Sequence, residues 1–111
     1  MRGSLDMPSF TAVHYNAACG DKLTIQGIIC DGILEKAVFE GSGCVISQAM
    51  ASLLLEKYNG SVLVHIQNLT EKEVKNLLPI PLGPVRFKCA LLALEALQKG
   101  VREYAQSKQA V

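Results

Sequence analysis

The sequence predicts an α+β fold: a three-stranded antiparallel sheet with helices packed on one face. Three observations predict it. Residues 22–30 alternate with the period of a half-buried strand, placing Leu23, Ile25, Gly27 and Ile29 on one face and Lys22, Thr24, Gln26 and Ile28 on the other. Asp31-Gly32 follows, a dipeptide suited to a two-residue hairpin turn, and residues 33–39 read as the returning strand. From residue 45 the apolar period lengthens to that of a helix. Strands that precede helices, rather than alternate with them, put the helices together on one side of an antiparallel sheet.

The remaining elements follow in order. Residues 1–9 form an irregular lead-in, and residues 10–16, rich in β-branched and aromatic side chains, a first short strand. Ala17-Ala18-Cys19-Gly20-Asp21 reads as a turn, since glycine frees the backbone and aspartate favours turns. In the third strand Ile33, Glu35, Ala37 and Phe39 share one side, and the strand is expected to end at Phe39. Gly41 and Gly43 then read as a turn. Ile46, Met50, Leu53 and Leu54 recur at helical spacing up to a stop at Asn59-Gly60. Residues 61–69 suit a strand or a short helix. Thr70 with Glu73 is a capping box opening a helix over 71–78. The run Pro79-Ile80-Pro81-Leu82-Gly83-Pro84 breaks that helix. Residues 85–106 form the last helix, with Leu91, Leu92, Leu94, Ala96, Leu97, Val101 and Tyr104 inward and Gly100 weakening it slightly.

At 111 residues the chain has the length of one domain, 1–111, and half its residues are hydrophobic, as in a folded globular chain. A net charge of +1 argues against nucleic acid or a membrane surface as partner. No apolar run approaches the ~20 residues of a membrane span, and Met1-Arg2-Gly3-Ser4 opens no apolar signal segment. Four cysteines without a secretion signal place the chain in a reducing compartment, the cytoplasm.

Those cysteines carry the chemistry. Cys44 stands at a strand-to-helix corner, where helix N–H groups and dipole favour a thiolate. Cys19 lies in the turn between the first two strands, and Cys89 in the first turns of the last helix. In a meander the first turn and the exit of the third strand lie at one end of the sheet, and the proline-rich stretch can bring Cys89 there. Asp21 can point to the same spot. Three thiolates and a carboxylate make a tetrahedral set suited to zinc, and soft thiolates also suit iron–sulfur chemistry. The residues alone leave a second reading open, in which the cysteines are small buried hydrophobes. Cys30, before Asp31-Gly32, reads as an incidental thiol, and His14 and His65 as surface or packing histidines. Ser47, one turn after Cys44, reads as a packing or capping residue, or as a hydrogen-bond donor to a ligand.

Ala18-Cys19-Gly20-Asp21, Phe39-Glu40-Gly41-Ser42-Gly43-Cys44-Val45-Ile46-Ser47 with Ala49 and Ser52, and Lys88-Cys89-Ala90-Leu91-Leu92 together resemble the IscU/SufU/NifU N-terminal family of iron–sulfur cluster assembly scaffolds. The resemblance runs from about Gly3 to about residue 105 and implies a SufE/NifU-like sheet with helices on one face, with 61–69 partly helical. It implies that Cys19, Cys44 and Cys89 hold zinc or a nascent 2Fe–2S cluster, with Asp21 as a ligand that controls cluster lability. It implies that Cys89 (as in IscU-type members) or Cys19 (as in SufU-type members) accepts persulfide sulfur from a cysteine desulfurase.

The chain departs from the family in several places. Lys88 stands where IscU-type members have histidine, so Asp21 is the expected fourth ligand and Lys88 a charge that tunes the site. The interval from Cys44 to Cys89 leaves no room for the SufU-type insertion. The family's opening helix, with its Pro-Arg-Asn signature, has no counterpart, and an apolar surface left bare there favours a homo-oligomer. Leu82-Gly83-Pro84-Val85-Arg86 keeps only part of the motif that an Hsp70-type chaperone recognises. The resemblance implies a scaffold that takes sulfur, builds a 2Fe–2S cluster and hands it to recipient apo-proteins. The alternatives are a SufU-type zinc-dependent sulfurtransferase that relays sulfur without a cluster, and a member whose zinc is purely structural.

Overall fold

The computed structural model describes residues 3, 5, 7–16, 20–42, 45–77 and 83–109. Three strands, β1 (Phe10–Asn16), β2 (Asp21–Cys30) and β3 (Ile33–Ser42), form an antiparallel sheet in the order β1-β2-β3. Four helices follow: α1 (Val45–Tyr58), α2 (Leu63–Gln67), α3 (Glu71–Leu77) and α4 (Pro84–Gln109). The expected α+β architecture is therefore the observed one. Phe10, Ala12, Leu23, Ile25, Ala37 and Phe39 of the sheet share one buried cluster with Met50, Leu54, Leu97 and Val101 of α1 and α4. All six lie on the same face, because side chains alternate along a strand.

The turn between β2 and β3 is made by Asp31 at φ 54° and Gly32 at φ 75°, the paired left-handed conformations of a tight hairpin. Beyond it the pairing does not keep step with simple alternation. Ile29 pairs with Leu34 but Ile28 pairs with Lys36, so Glu35 is an extra residue in β3. Leu34 is consequently buried, while Ile33 is 36% exposed and Glu35 faces solvent. The expectation that Ile33 and Glu35 lie on the side of Ala37 and Phe39 is corrected by this bulge.

β3 also runs past the expected end at Phe39. Gly41 pairs with Leu23 and Ser42 with Lys22. A Cβ at Gly41 would approach Leu23 Cδ1 to 2.8 Å and the Lys22 carbonyl oxygen to 3.1 Å. Gly41 thus serves a close approach within the sheet and not a turn. Described lead-in residues are tied to the sheet: the Gly3 N–H donates to the Phe39 carbonyl at 2.9 Å and the Leu5 N–H to Gln26 Oε1 at 2.8 Å.

In α1 the buried positions are Ser47, Met50, Ala51, Leu54, Leu55 and Tyr58. Leu53 is 39% exposed, a correction to the inward stripe read from sequence. The helix ends before Asn59-Gly60 as expected, with Gly60 at φ 91°. Residues 61–69 hold the short helix α2, entered through a single bridge between Val62 and Ile33. The Gln98 side chain on α4 donates Nε2 to the Ile66 and Leu69 carbonyls at 3.1 and 2.8 Å, satisfying acceptors that so short a helix leaves open. The Glu73 half of the capping box at α3 is present: the Thr70 N–H donates to Glu73 Oε2 at 2.6 Å, while the Thr70 hydroxyl turns to the same oxygen at 2.5 Å and the Glu73 N–H donates to the Thr70 carbonyl at 3.1 Å.

α4 crosses the sheet at Gly100. A Cβ there would stand 2.3 Å from Phe10 Cδ2 and 2.5 Å from Cε2. On another edge of the same ring, a Cβ at Gly27 would stand 2.5 Å from Cε1. Two glycines thus make the slot in which the Phe10 ring sits. Propensity alone registers Gly100 as a weakness in the helix, but packing requires it.

Candidate metal and sulfur site

β2 begins at Asp21, which pairs with Asn16 across β1. Asp21 is therefore a strand residue and not part of the turn, where Gly20 takes the left-handed conformation at φ 70°. Period two puts its side chain on the side of Leu23 and Ile25, beneath the helices. The carboxylate is 1% exposed. Burial of a charge at that depth is costly unless hydrogen bonds or a counter-charge compensate.

Part of that compensation comes from α1. Ser47, in its first turn and 1% exposed, places Oγ 2.8 Å from Asp21 Oδ2. The same hydroxyl lies 3.0 Å from the carbonyl oxygen of Cys89, in the second turn of α4. Cys89 is itself buried, at 3% exposed. One serine thus joins β2, α1 and α4, and brings Asp21 and Cys89 to a common point. Sequence reading left Ser47 between a packing and a donor role. The signal for the second was its place on the inward stripe of α1, where a lone hydroxyl among Met50, Ala51 and Leu54 needs a polar partner.

Of the other expected site residues, Cys19 and Cys44 lie outside the described residues. The elements that flank them in sequence meet at one end of the sheet: β2 starts at Asp21, opposite the end of β1, and Lys22 pairs with Ser42 at the close of β3. Lys88 is exposed on α4. Among the described residues no three histidine, cysteine or acidic side chains come together. Cys30 closes β2 at the end opposite Asp21 and is exposed. Its thiol pKa is raised, first by the charge of Asp31 and then by that of Glu35. His14 lies beneath the helices' side of β1, where Nε2 meets Glu95 Oε2 of α4 at 3.0 Å, and His65 rests against the Tyr58 ring.

The donor chemistry fits a cation. The Asp21 carboxylate and the Cys89 main-chain carbonyl meet on the Ser47 hydroxyl, both residues are buried, and zinc takes oxygen and sulfur ligands of the kinds these two residues carry. An iron–sulfur cluster likewise takes thiolates. No helix among the described residues is long and apolar enough to cross a membrane.

Comparison with known proteins agrees with this fold. The family model for the NifU-like N terminal domain matches residues 1–111. The chain is 34% identical over 121 aligned positions to an iron–sulfur cluster assembly scaffold protein IscU of Thermotoga maritima, covering 95% of this chain and 85% of that protein. It is 32% identical to the protein of the same name from Escherichia coli K12, covering 84% of this chain and 72% of the other. A solved structure described as a scaffold for iron–sulfur cluster assembly in the SUF system of Fervidobacterium islandicum superposes with a TM-score of 0.78 at 23% identity, over 90% of this chain and 85% of that one. The N-terminal part of a NifU-like protein from Brucella abortus gives 0.73 at 22% identity, over 94% and 84%. At those identities the two structures speak for the fold.

Proposed function

This chain belongs to the NifU-like N-terminal domain family of iron–sulfur cluster assembly scaffolds, and on that footing we propose that it accepts sulfur from a cysteine desulfurase and builds a 2Fe–2S cluster. The cluster is cargo, held by Cys19, Asp21, Cys44 and Cys89 and passed to recipient apo-proteins in the cytoplasm. The observation that carries this reading is the meeting of the Asp21 carboxylate and the main chain at Cys89, from distant parts of the chain, on one buried hydroxyl. A packing role for these residues gives no reason to bury a carboxylate there.

The sulfur step is an exchange. The thiolate of Cys89 or Cys19 attacks the outer sulfur of the desulfurase persulfide, a new S–S bond forms, and the desulfurase cysteine leaves as thiolate. Reduction of the transferred sulfur to sulfide takes electrons from a separate donor. Zinc bound by the same residues would lower the thiol pKa and keep the acceptor ionised near neutral pH. Asp21 supplies a hard oxygen among soft sulfurs. Lys88, exposed beside Cys89, supplies a positive charge at the rim.

A second reading, a zinc-dependent sulfurtransferase without a cluster, rests on Lys88 standing where IscU-type members have a ligating histidine. Anaerobic reconstitution with iron, cysteine and a desulfurase separates the two. A visible charge-transfer band that requires Cys44 and Cys89 supports the scaffold. Persulfide on Cys19 or Cys89 without colour supports the transferase. Neither colour nor persulfide would reject both.

A further inference from the structure

We propose that Ser47 is the positioning residue of this site: its hydroxyl sets the Asp21 carboxylate in place and has the Cys89 main-chain carbonyl as its alternative acceptor. The inference rests on the site assignment above and concerns a residue that is no ligand itself. Three features of the geometry carry it.

First, the hydroxyl is the described link between the carboxylate on β2 and the start of α4, at 2.8 Å from Asp21 Oδ2 and 3.0 Å from the Cys89 carbonyl oxygen. Second, it is itself 1% exposed, so bulk water does not compete for its proton. Third, a hydroxyl carries one proton and here faces two acceptors. When the proton is on Asp21, the carboxylate is oriented and held. When it turns to the Cys89 carbonyl, Oδ2 gives up that bond and no buried hydroxyl is left unsatisfied. The carboxylate can therefore engage a cation or withdraw from it while the buried hydroxyl proton keeps an acceptor in either state. Ser47 thus makes the oxygen ligand both well placed and exchangeable.

The test uses zinc and the full chain. Zinc affinity is measured by competition with a chelating dye for the wild type, Ser47→Ala, Ser47→Thr, Asp21→Ala and the Ser47→Ala/Asp21→Ala pair. Groups that orient metal ligands typically contribute about 10–100-fold in affinity. Ser47→Ala is expected to weaken zinc binding by that factor, and Ser47→Thr, which keeps the hydroxyl, to bind close to wild type. In the Asp21→Ala background, Ser47→Ala should change affinity by less than about twofold, because the residue acts through that carboxylate. Cobalt substituted for zinc should show an altered ligand-field spectrum in Ser47→Ala and not in Ser47→Thr. Thermal melting of the metal-free variants in chelator confirms that each is folded when it is titrated.

An unchanged affinity in Ser47→Ala overturns the proposal. So does an equal loss in the Asp21→Ala background, which would assign the hydroxyl to helix packing alone. If the wild type binds no zinc and holds no cluster, the site assignment itself fails and takes this inference with it. A wild type that binds, beside variants that do not differ from it, sinks the positioning role alone.

Discussion

Gly100→Ala isolates what the close crossing of α4 over the sheet contributes. In an ordinary helix the change is favourable by about 1 kcal/mol, because alanine loses less chain entropy than glycine. Here the new Cβ would lie 2.3 Å from Phe10 Cδ2 and 3.1 Å from Ala12 Cβ, against an ordinary carbon contact of about 3.5–4.0 Å. The Phe10 ring would have to move by more than an ångström, and the backbone of Gly27 closes the slot on another edge. Overpacking of this kind costs about 1–3 kcal/mol, and full expulsion of the ring about 3–5. The expected net effect is destabilisation of about 1–2 kcal/mol, or a fall in Tm of roughly 5 °C or more for a domain of this size. Urea titration and thermal melting followed by circular dichroism measure it. The paired variant Phe10→Leu/Gly100→Ala supplies the check. With the ring gone, the added methyl should cost at least 1 kcal/mol less than in the wild-type background. An unchanged or higher Tm in Gly100→Ala, or an equal loss in both backgrounds, would refute the reasoning.

Metal analysis should show that Cys44→Ala and Cys89→Ala each lose at least tenfold in zinc affinity, whereas Cys30→Ala binds as the wild type does. The charges of Asp31 and Glu35 raise the Cys30 thiol pKa, so Asp31→Asn should speed its alkylation at pH 8, and added salt should do the same in the wild type by screening. Mass spectrometry of the labelled peptide reads both; a slower reaction in either case would contradict the assigned cause. The Glu73 carboxyl is held below its ordinary 4.5, first by the side chain and then by the backbone N–H of Thr70. Its contribution to stability is therefore full above about pH 4.5 and lost as pH falls through the lower folded value. Glu73→Gln should flatten that part of the acid limb in denaturant titrations, and an unaltered limb would assign the acid sensitivity elsewhere.

Local signals were legible where one short-range cause decides the outcome. Asp31-Gly32 set the hairpin because both residues accept positive φ, and Thr70 with Glu73 announced α3 because the Glu73 carboxylate reaches back to the Thr70 N–H within four residues. The convergence of the strand ends followed from meander topology. What escaped was set by partners distant in the chain. Nothing near Glu35 announces that it will be spare; that depends on how Ile28 and Ile29 align with β3. Gly41 looked like a turn because its neighbour Leu23 is far away in sequence. The burial of Asp21 was hidden by the habit of aspartate in turns, although the alternation through Leu23 and Ile25 already placed it inward. Meander topology already grouped Asp21 with three of the cysteines, and the motifs resembling the scaffold family made that group the expected ligand set over the reading of small buried hydrophobes.

The bulge at Glu35 bears on how this chain tolerates a change in length. Residues before and after it in β3 are each in phase with β2, but with different offsets. Loss of Glu35 would merge the two into one regular ladder, leaving Leu34, Ala37 and Phe39 facing the helices as before. Loss of a residue between Ala37 and Ser42 would instead turn the following side chains over and carry Gly41 away from Leu23. An evolving or engineered version of this strand can therefore shed one residue at that single joint and keep its inside inside.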